Sequence, residues 1–229
     1  MRSGAGLASL LLLCSCTSGL FSGSNFEPDA TRPVVRIETR GGVEYGAATS
    51  EGVLFLGRTA TTGPCRVHYF LGRTPVVEDG TIVPFGGVYY RADVDLKQQR
   101  AELLTKDPDP SLPLVALLHR ELDVARVPVR LARGGGLDGD IVEWPGTTLP
   151  VGTGIFTPAE NPEDGWRLVG LVSGEATLEQ GASTRKLIVF AGVDRLREAM
   201  ATPVPWPEPM TVKHRMDDIS LTKRRAEIR

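Results

Sequence analysis

Three histidines, one internal cysteine and scattered hydroxyl groups are the side chains of this 229-residue chain that could carry acid–base or nucleophilic chemistry. His68 lies in a β-branched and aromatic stretch, His119 follows an apolar run, and His214 lies near the C-terminal end. A serine nucleophile needs a neighbouring base and a sharp turn that exposes it. No serine of the chain lies in a strand–turn–helix pattern of that kind, so we expect His68 to be a half-buried strand residue.

The same side chains predict no metal site. Zinc needs three or four converging His, Cys or carboxylate ligands, and the isolated histidines show no paired spacing with a cysteine. The acidic pairs Asp93/Asp95 and Asp107/Asp109 lack the further oxygen ligands of a calcium loop, so we read them as surface turns. No metal and no other cofactor is therefore expected.

Composition and charge exclude further classes of protein. Lys and Arg number 26 against 28 Asp and Glu, which gives a formal charge of −2 and no basic field for nucleic-acid phosphates. Hydrophobic residues make up 41% of the chain, as in a globular protein. The 26 glycines and 17 prolines favour many short strands joined by turns over a helical bundle.

The N-terminal residues read as an export signal with a lipid-attachment cysteine. Arg2 is followed by an apolar run that is too short to span a bilayer. Leu13-Cys14-Ser15-Cys16 is similar to the motif at which bacterial lipoproteins are processed, and it selects Cys16 because small Ser15 precedes it, whereas bulky Leu13 precedes Cys14. The alternative is an ordinary cleaved secretory signal whose cysteines are incidental.

This signal predicts a location in the bacterial cell envelope, with the chain anchored by lipid on Cys16. Thr17 rather than Asp follows the acceptor, which by the enterobacterial sorting rule indicates the outer membrane, facing the periplasm. Cys65 is then the single cysteine left in the folded part, so we expect a buried thiol and no internal disulfide.

The chain divides into a signal peptide at 1–15, a flexible tether at 16–32, one domain at 33–201 and a Pro-rich, basic tail at 202–229. β-branched runs between turn residues predict many strands in the domain, and the first three form a meander. The predicted strands are Val34–Thr39, Val43–Thr49, Val53–Leu56, Arg66–Leu71, Thr81–Val83, Val88–Asp93, Leu114–Leu118, Val127–Leu131, Arg167–Ser173 and Lys186–Ala191.

One helix is expected after these strands, at the end of the domain. Val193–Met200 follows Gly192 and places Val193, Leu196 and Met200 on one face. The stretch Leu96–Leu104 is a weaker helix candidate with strand and loop as alternatives, because its polar centre leaves little apolar face. The spacing of the strands is that of a barrel or a sandwich.

Two patterns near the end of the domain carry a family resemblance. Trp166–Gly174 reads WRLVGLVSG, and Ile188–Leu196 reads IVFAGVDRL. They resemble the strand after the nucleophile and the last strand with its helix in trypsin-like (chymotrypsin-fold) serine proteases. The resemblance spans Pro33 to Met200 and implies an all-β fold of two barrels with a C-terminal helix. The second barrel is expected to be reduced, because Val127–Thr153 is short for its first half.

When the resemblance is followed residue by residue, none of the family's three catalytic residues is present at its matching position. The matching positions hold Thr62 in place of the histidine, Leu114 in place of the aspartate and Thr153 in place of the serine. A threonine without a base is not a nucleophile at neutral pH. The turn Gly152-Thr153-Gly154 could still offer backbone N–H groups to a peptide carbonyl or carboxylate.

The resulting hypothesis is a lipid-anchored, protease-like domain that binds an envelope protein or peptide without hydrolysing it. The alternative within the same resemblance is an exported serine protease or hydrolase with a displaced active site, built on His68 or His119. A third alternative is a lipoprotein with an unrelated β-barrel or sandwich and a structural role. Fold alone does not decide among these functions.

Overall fold

A computed structural model of the chain describes residues 32–57, 62–86, 88–98, 100–105, 111–132, 140–161, 164–180 and 183–201. The predicted signal peptide, the lipid acceptor Cys16, the tether up to residue 31 and the C-terminal tail lie outside the described residues. No helix among the described residues is long and apolar enough to cross a membrane.

The first half of the domain is a closed antiparallel barrel of six strands, in the order β1-β2-β3-β6-β5-β4. Some of its strands alternate between buried apolar residues and polar residues that face solvent, whereas others are buried on both faces because they also pack against the second half. These strands are β1 Val34–Thr39, β2 Gly42–Thr49, β3 Gly52–Leu56, β4 Gly63–Leu71, β5 Thr74–Gly86 and β6 Tyr89–Asp93.

The second half is a sheet in the order β10-β13-β12-β11-β8-β9, with β7 paired in parallel beside β12. The helix α1, Val193–Ala201, follows the last strand directly. The strands are β7 Glu102–Leu103, β8 Leu114–His119, β9 Val124–Val129, β10 Ile141–Glu143, β11 Gly154–Pro158, β12 Trp166–Gln180 and β13 Ser183–Gly192.

The two ends of this second sheet meet just beyond β9. Leu131 forms a bridge with Val142 of β10. The amide of Ala132 donates to the Ile141 carbonyl at 2.9 Å, and the amide of Glu143 donates to the Arg130 carbonyl at 2.8 Å. The second half therefore repeats the neighbour pattern of the first, in which three strands lie in sequence and the next three return in reverse order.

Each half has its own apolar core, and a third core joins them. Phe55 and Tyr69 lie in the core of the first barrel, and Phe190 lies in that of the second sheet. The shared core combines Leu54 and Phe70 of the first barrel with residues of the second half, including Phe156, Trp166, Leu168 and Leu196. The junction between the halves is therefore packed with apolar side chains.

The helix and most of the strands confirm the sequence predictions. The all-β class with a barrel, a second sheet and one C-terminal helix is as expected, and the second sheet is the less complete, with β10 only three residues long. Val193 and Leu196 are buried on the predicted helix face. Arg197 of the helix donates to the Leu104 carbonyl at 2.6 Å, which ties α1 to the segment between the halves.

Several details differ from the sequence predictions. The stretch 96–104 is not helical where the structure describes it, and it contains only the short strand β7, because Leu96 and Leu104 pack into different cores. The short strand β10 was not predicted, and β5 and β12 are much longer than the predicted Thr81–Val83 and Arg167–Ser173. The expected turn Gly152-Thr153-Gly154 enters strand β11 at Gly154.

Candidate functional site

The segment predicted to carry the nucleophile is a tight turn at the start of β11. Gly152 adopts a φ of +88°, a conformation that favours glycine. A Cβ at this position would overlap the carbonyl oxygen of Tyr45, which belongs to β2 of the first barrel. The turn therefore sits directly against the first barrel, and glycine is needed for this close approach.

The N–H groups of the turn are committed to the chain itself. Gly152 donates to the Val172 carbonyl at 2.7 Å, and Thr153 donates to the Pro150 carbonyl at 3.1 Å. Gly154 lies in ladders with both β8 and β12. In this structure the turn Gly152-Thr153-Gly154 thus differs from the expected peptide-binding turn, because an oxyanion or carbonyl needs free N–H donors aimed at it.

The hydroxyl of Thr153 is enclosed rather than presented. Thr153 is only 2% exposed, and its Oγ1 has no hydrogen-bond partner. Val151, which precedes the turn, packs against the core shared by the two halves. A hydroxyl without a base, beside an apolar side chain, has nothing to take its proton.

The other two predicted triad positions do not converge with Thr153. Phe156 pairs with Val115, and Gly154 pairs with Leu117, so Leu114 and Thr153 lie at opposite ends of the β8–β11 ladder. Their separation is four residues, or about 13 Å along the strands. Thr62 precedes β4 and is exposed, whereas Leu114 is buried in the core of the second sheet. The three positions therefore do not line one cleft, and Leu114 is a core residue.

His68 belongs instead to a charged cluster on the first barrel. Its Nε2 lies 3.2 Å from Glu38 Oε2 and 3.4 Å from Arg36 Nη2, and Glu38 also pairs with Arg36 and, at 2.6 Å, with Arg66. Burial raises the pKa of Glu38, but the hydrogen bond and charge of His68 and the two arginines outweigh this and lower it overall. His68 is half-buried on β4, as predicted.

His119 ends β8 and is buried where the second sheet meets the first barrel. It is 6% exposed, and its ring lies 5.0 Å from that of Phe70. Burial, followed by the charges of Arg36 and His68, lowers the pKa of His119 to about 4. The ring is therefore neutral at pH 7, although the nearby backbone of Arg120 acts in the opposite direction.

The structure thus brings His68 and His119 to one small cavity, which the sequence did not predict. The signal was present in part: Arg36 and Glu38 alternate along β1 towards one face, and Arg36 pairs with His68 in the β1–β4 ladder. The position of His119 depends on how the two halves pack. Among the residues that line the cavity, Tyr69 has the sole hydroxyl group, and that oxygen accepts from the Lys97 amide.

Cys65 and the turn at Asp93 and Asp95 hold no other reactive site, and Asp107 and Asp109 lie outside the described residues. Cys65 is a free thiol, 5% exposed, and burial raises its pKa, so the thiol is protonated and unreactive at neutral pH. The Asp93 carboxylate forms an ion pair with Arg91 at 2.7 Å. No group of three His, Cys, Asp or Glu among the described residues could hold a metal ion.

Comparisons with known proteins give matches in fold only. The sequence matches no protein-family model, and it matches no curated protein. The structure is similar to the active form of the Rv3671c protease from M. tuberculosis, with a TM-score of 0.46 and 17% identity over 81% of this chain and 87% of that one.

Two further solved structures are similar to a comparable degree. The MamO protease domain from Magnetospirillum magneticum has a TM-score of 0.45 and 13% identity, over 75% of this chain and 97% of that one. The serine protease of a human pathogenic astrovirus has a TM-score of 0.44 and 13% identity, over 72% of this chain and 91% of that one. At these identities the similarity concerns the chain path and leaves the roles of individual residues open.

Proposed function

We propose that this chain is a lipid-anchored, exported domain of protease-like fold that binds an envelope protein or peptide without hydrolysing it. The observation that carries this proposal is the turn before β11. Its hydroxyl, on Thr153, is buried without a base, and the N–H groups of Gly152 and Thr153 bond to the chain itself. Acyl transfer requires an activated nucleophile and free oxyanion donors, and both are missing from this turn.

The test is reaction with a serine-directed fluorophosphonate probe together with a peptide and ester hydrolysis assay. The purified protein is expected to show no labelling and no turnover above a heat-inactivated control. Thr153→Ser should not create activity, because a serine at that position would still lack a base. Turnover that is abolished by replacing a serine and a histidine would contradict the proposal.

The unpaired side of β12 is the surface that best suits a peptide partner. The β11 ladder ends at Leu171, whereas β12 continues to Gln180, and no described strand pairs with that last part of β12 on the β11 side. An extended peptide can add a strand to such an edge through main-chain hydrogen bonds. Exposed Glu175 and Glu179 on this segment favour a basic partner.

Photo-crosslinking in intact cells tests this surface. A crosslinking amino acid at Thr177 should capture a specific partner, whereas the same group at Val77, which is 50% exposed on the first barrel, should not. Equal capture at both positions, or at Val77 alone, would contradict binding at the β12 edge. The hydrolysis assay is independent of this outcome.

Anchoring depends on Cys16 in this proposal. Palmitate labelling and recovery of the protein in the membrane fraction should both be lost in Cys16→Ser and retained in Cys14→Ser, because only Cys16 follows a small residue. Label that persists in Cys16→Ser would assign the anchor to another cysteine.

A hydrolase with a displaced site is the second candidate, and the His68–Glu38 pair favours it. A histidine held 3.2 Å from a carboxylate has the arrangement of a base and the group that orients it. This candidate requires His68→Ala to abolish a measurable hydrolysis. The cavity beside His68 offers no serine, threonine or cysteine among its described lining residues, which weighs against it.

A further inference from the structure

A cavity of about 130 Å³ lies where the first barrel meets the end of β8. Its lining combines polar and apolar side chains. The polar groups come from β1, β4 and β8, and the apolar ones come from β4 and β5. The lining includes the polar side chains of Arg36, His68 and His119 and the apolar side chains of Phe70, Pro75 and Val76.

His119 is the unusual member of this lining. It is 6% exposed, yet neither Nδ1 nor Nε2 has a partner with good hydrogen-bond geometry, and among the described residues only the backbone of Arg120 lies close enough to interact weakly with the ring. Buried side-chain nitrogens in native proteins are nearly always hydrogen-bonded, and an unpaired one indicates an occupant that bonds to it. Leaving such a group unpaired destabilises the folded state. The ring therefore has the position of a ligand-binding group.

The electrostatic environment of the ring favours an anion. The charges that act most strongly on His119 are those of Arg36 and His68, and both oppose its protonation. Glu38 neutralises part of this field from β1, through its contacts with both residues. Glu121 lines the cavity too, but it is exposed at the rim. A negative group between Arg36 and His119 would be stabilised by the guanidinium and would accept an imidazole N–H.

The size and the apolar wall restrict the ligand further. An apolar cavity of about 150 Å³ in another protein holds benzene, which has six non-hydrogen atoms. A cavity of similar volume here accepts a ligand of about the same size. Phosphate and sulfate would leave Phe70 and Val76 without apolar contact. A carboxylate with a short hydrocarbon chain can contact the polar lining residues with its charged group and the apolar ones with its chain.

We propose that this cavity binds a monocarboxylate with a short apolar chain, with the carboxylate on Arg36 and His119 and the chain against Phe70 and Val76. The carboxylate belongs either to a free small acid or to the C-terminal residue of a peptide. This site lies near the turn before β11, because Leu117, two residues before His119, pairs with Gly154. It shares no lining residue with that turn or with the β12 edge, so it adds a ligand to the proposed function and does not depend on it.

A comparison of two nearly isosteric ligands on the unaltered protein provides the main test. Butyrate and butyramide have the same number of non-hydrogen atoms, but only butyrate is charged. Binding is followed by NMR titration of the imidazole signals, with the His119 signal assigned from His119→Phe. The affinity for butyrate should be at least roughly tenfold higher than that for butyramide. Bound butyrate should also raise the pKa of His119. Equal affinities, or an unchanged His119 signal, would overturn the proposal and leave water as the occupant.

A pair of arginine variants provides the matched control. Arg36 and Arg66 both contact Glu38, but only Arg36 lines the cavity. Arg36→Gln should weaken butyrate binding by roughly tenfold or more, and Arg66→Gln should change it by less than about twofold. Equal weakening by both variants would assign the effect to general charge and overturn the site. If Arg36→Gln does not fold, the ligand comparison still decides.

Peptide binding distinguishes the two sources of the carboxylate, a free small acid and the C-terminal residue of a peptide. A tripeptide that ends in valine with a free carboxylate should bind as butyrate does if the cavity takes a chain end, and its C-terminal amide should not. Binding of butyrate without the free-acid peptide assigns the site to a small acid. Binding of the amide as strongly as the acid would contradict carboxylate recognition.

Discussion

The two halves of the domain have the same order of strands but close in different ways. In the first barrel, β2 and β3 are joined by a ladder of four residue pairs, from Gly46–Phe55 to Thr49–Gly52. In the second, the equivalent neighbours β9 and β10 are joined only beyond the end of β9, where Leu131 and Val142 form a single bridge. Strand length accounts for part of the difference, because β10 has only three residues and β9 ends at Val129. One topology can thus be closed by a ladder or by a bridge.

The halves also differ in what they expose to each other. The first barrel presents Arg36 and His68 beside the end of β8, whereas the second presents the buried turn at Gly152 to Tyr45. These two places are near each other, because Leu117 of β8 pairs with Gly154 of β11. The turn is filled by core packing, and the end of β8 at His119 lines a polar cavity.

The largest effect is expected from removing a core ring in either half. Phe55 is fully buried in the first barrel and Phe190 in the second, so Phe55→Ala and Phe190→Ala should each cost about 3–5 kcal/mol. Because the shared core joins the halves, both variants should shift one common urea transition. Far-UV circular dichroism, together with fluorescence of Trp144 and Trp166 in the second half, measures it. Two separate transitions would mean that the halves unfold independently.

The contact of Gly152 with the first barrel ranks next. Gly146→Ala should cost about 1 kcal/mol, because Gly146 has a φ of +81° and open space around it. Gly152→Ala has a similar φ penalty and adds the overlap with Tyr45, for a further 1–3 kcal/mol or so. The difference between the two variants in free energy of unfolding, measured with denaturant, gives the contribution of the contact between Gly152 and Tyr45. Equal losses would show that the turn can move away from the barrel.

Acid should weaken the junction through His119. Its folded pKa of about 4 lies below its ordinary 6.5, so its neutral form stabilises the fold fully above pH 6.5 and loses that contribution as the pH falls towards 4. The loss amounts to at most roughly 3 kcal/mol. His119→Phe, measured in carboxylate-free buffer, should flatten the dependence over this range.

The Glu38 cluster gives the internal check on that pH dependence. The pKa of Glu38 is lowered from 4.5, so its stabilising contribution is fully present above pH 4.5 and is lost as the pH falls further, below most of the range in which His119 acts. A stability slope between pH 6.5 and 4.5 that remains in His119→Phe would assign the effect to groups other than the buried ring.

The smallest effect concerns the bridge that closes the second sheet. Arg185 contacts Glu143 of β10 at 2.6 Å, and both side chains are about half-exposed, so Arg185→Gln should cost less than about 1 kcal/mol. Hydrogen exchange at the Glu143 amide should nevertheless become faster. In Arg66→Gln, the matched change beside the closed seam of the first barrel, exchange of the β1–β4 amides should stay unchanged. Faster exchange there would remove the difference between the seams.

Local sequence patterns predicted most of the strands and the helix because burial follows alternation and helical periodicity within each segment. Val34–Thr39 and Val193–Met200 show this directly: the apolar residues of the strand are buried, as are Val193 and Leu196 of the helix, and Met200 is half-buried. The stretch 96–104 is the counterexample: no local pattern dominates there, and packing of Leu96 and Leu104 into separate cores decides its path. Very short strands such as β10 carry too few residues for a pattern to be seen.

The sequence predicted which residue types are available for the candidate site, but it did not predict which of them lie together. The sequence by itself determined that Thr62 stands at the family's histidine position, that Cys65 is the single internal cysteine and that an all-β domain ends in a helix, because residue identity and local periodicity carry that information. Only the tertiary structure decided that Leu114 and Thr153 lie at opposite ends of one ladder and that His119 meets Arg36 and His68 across the junction. Strand register and the packing of the two halves depend on contacts distant in sequence, and no local pattern encodes them.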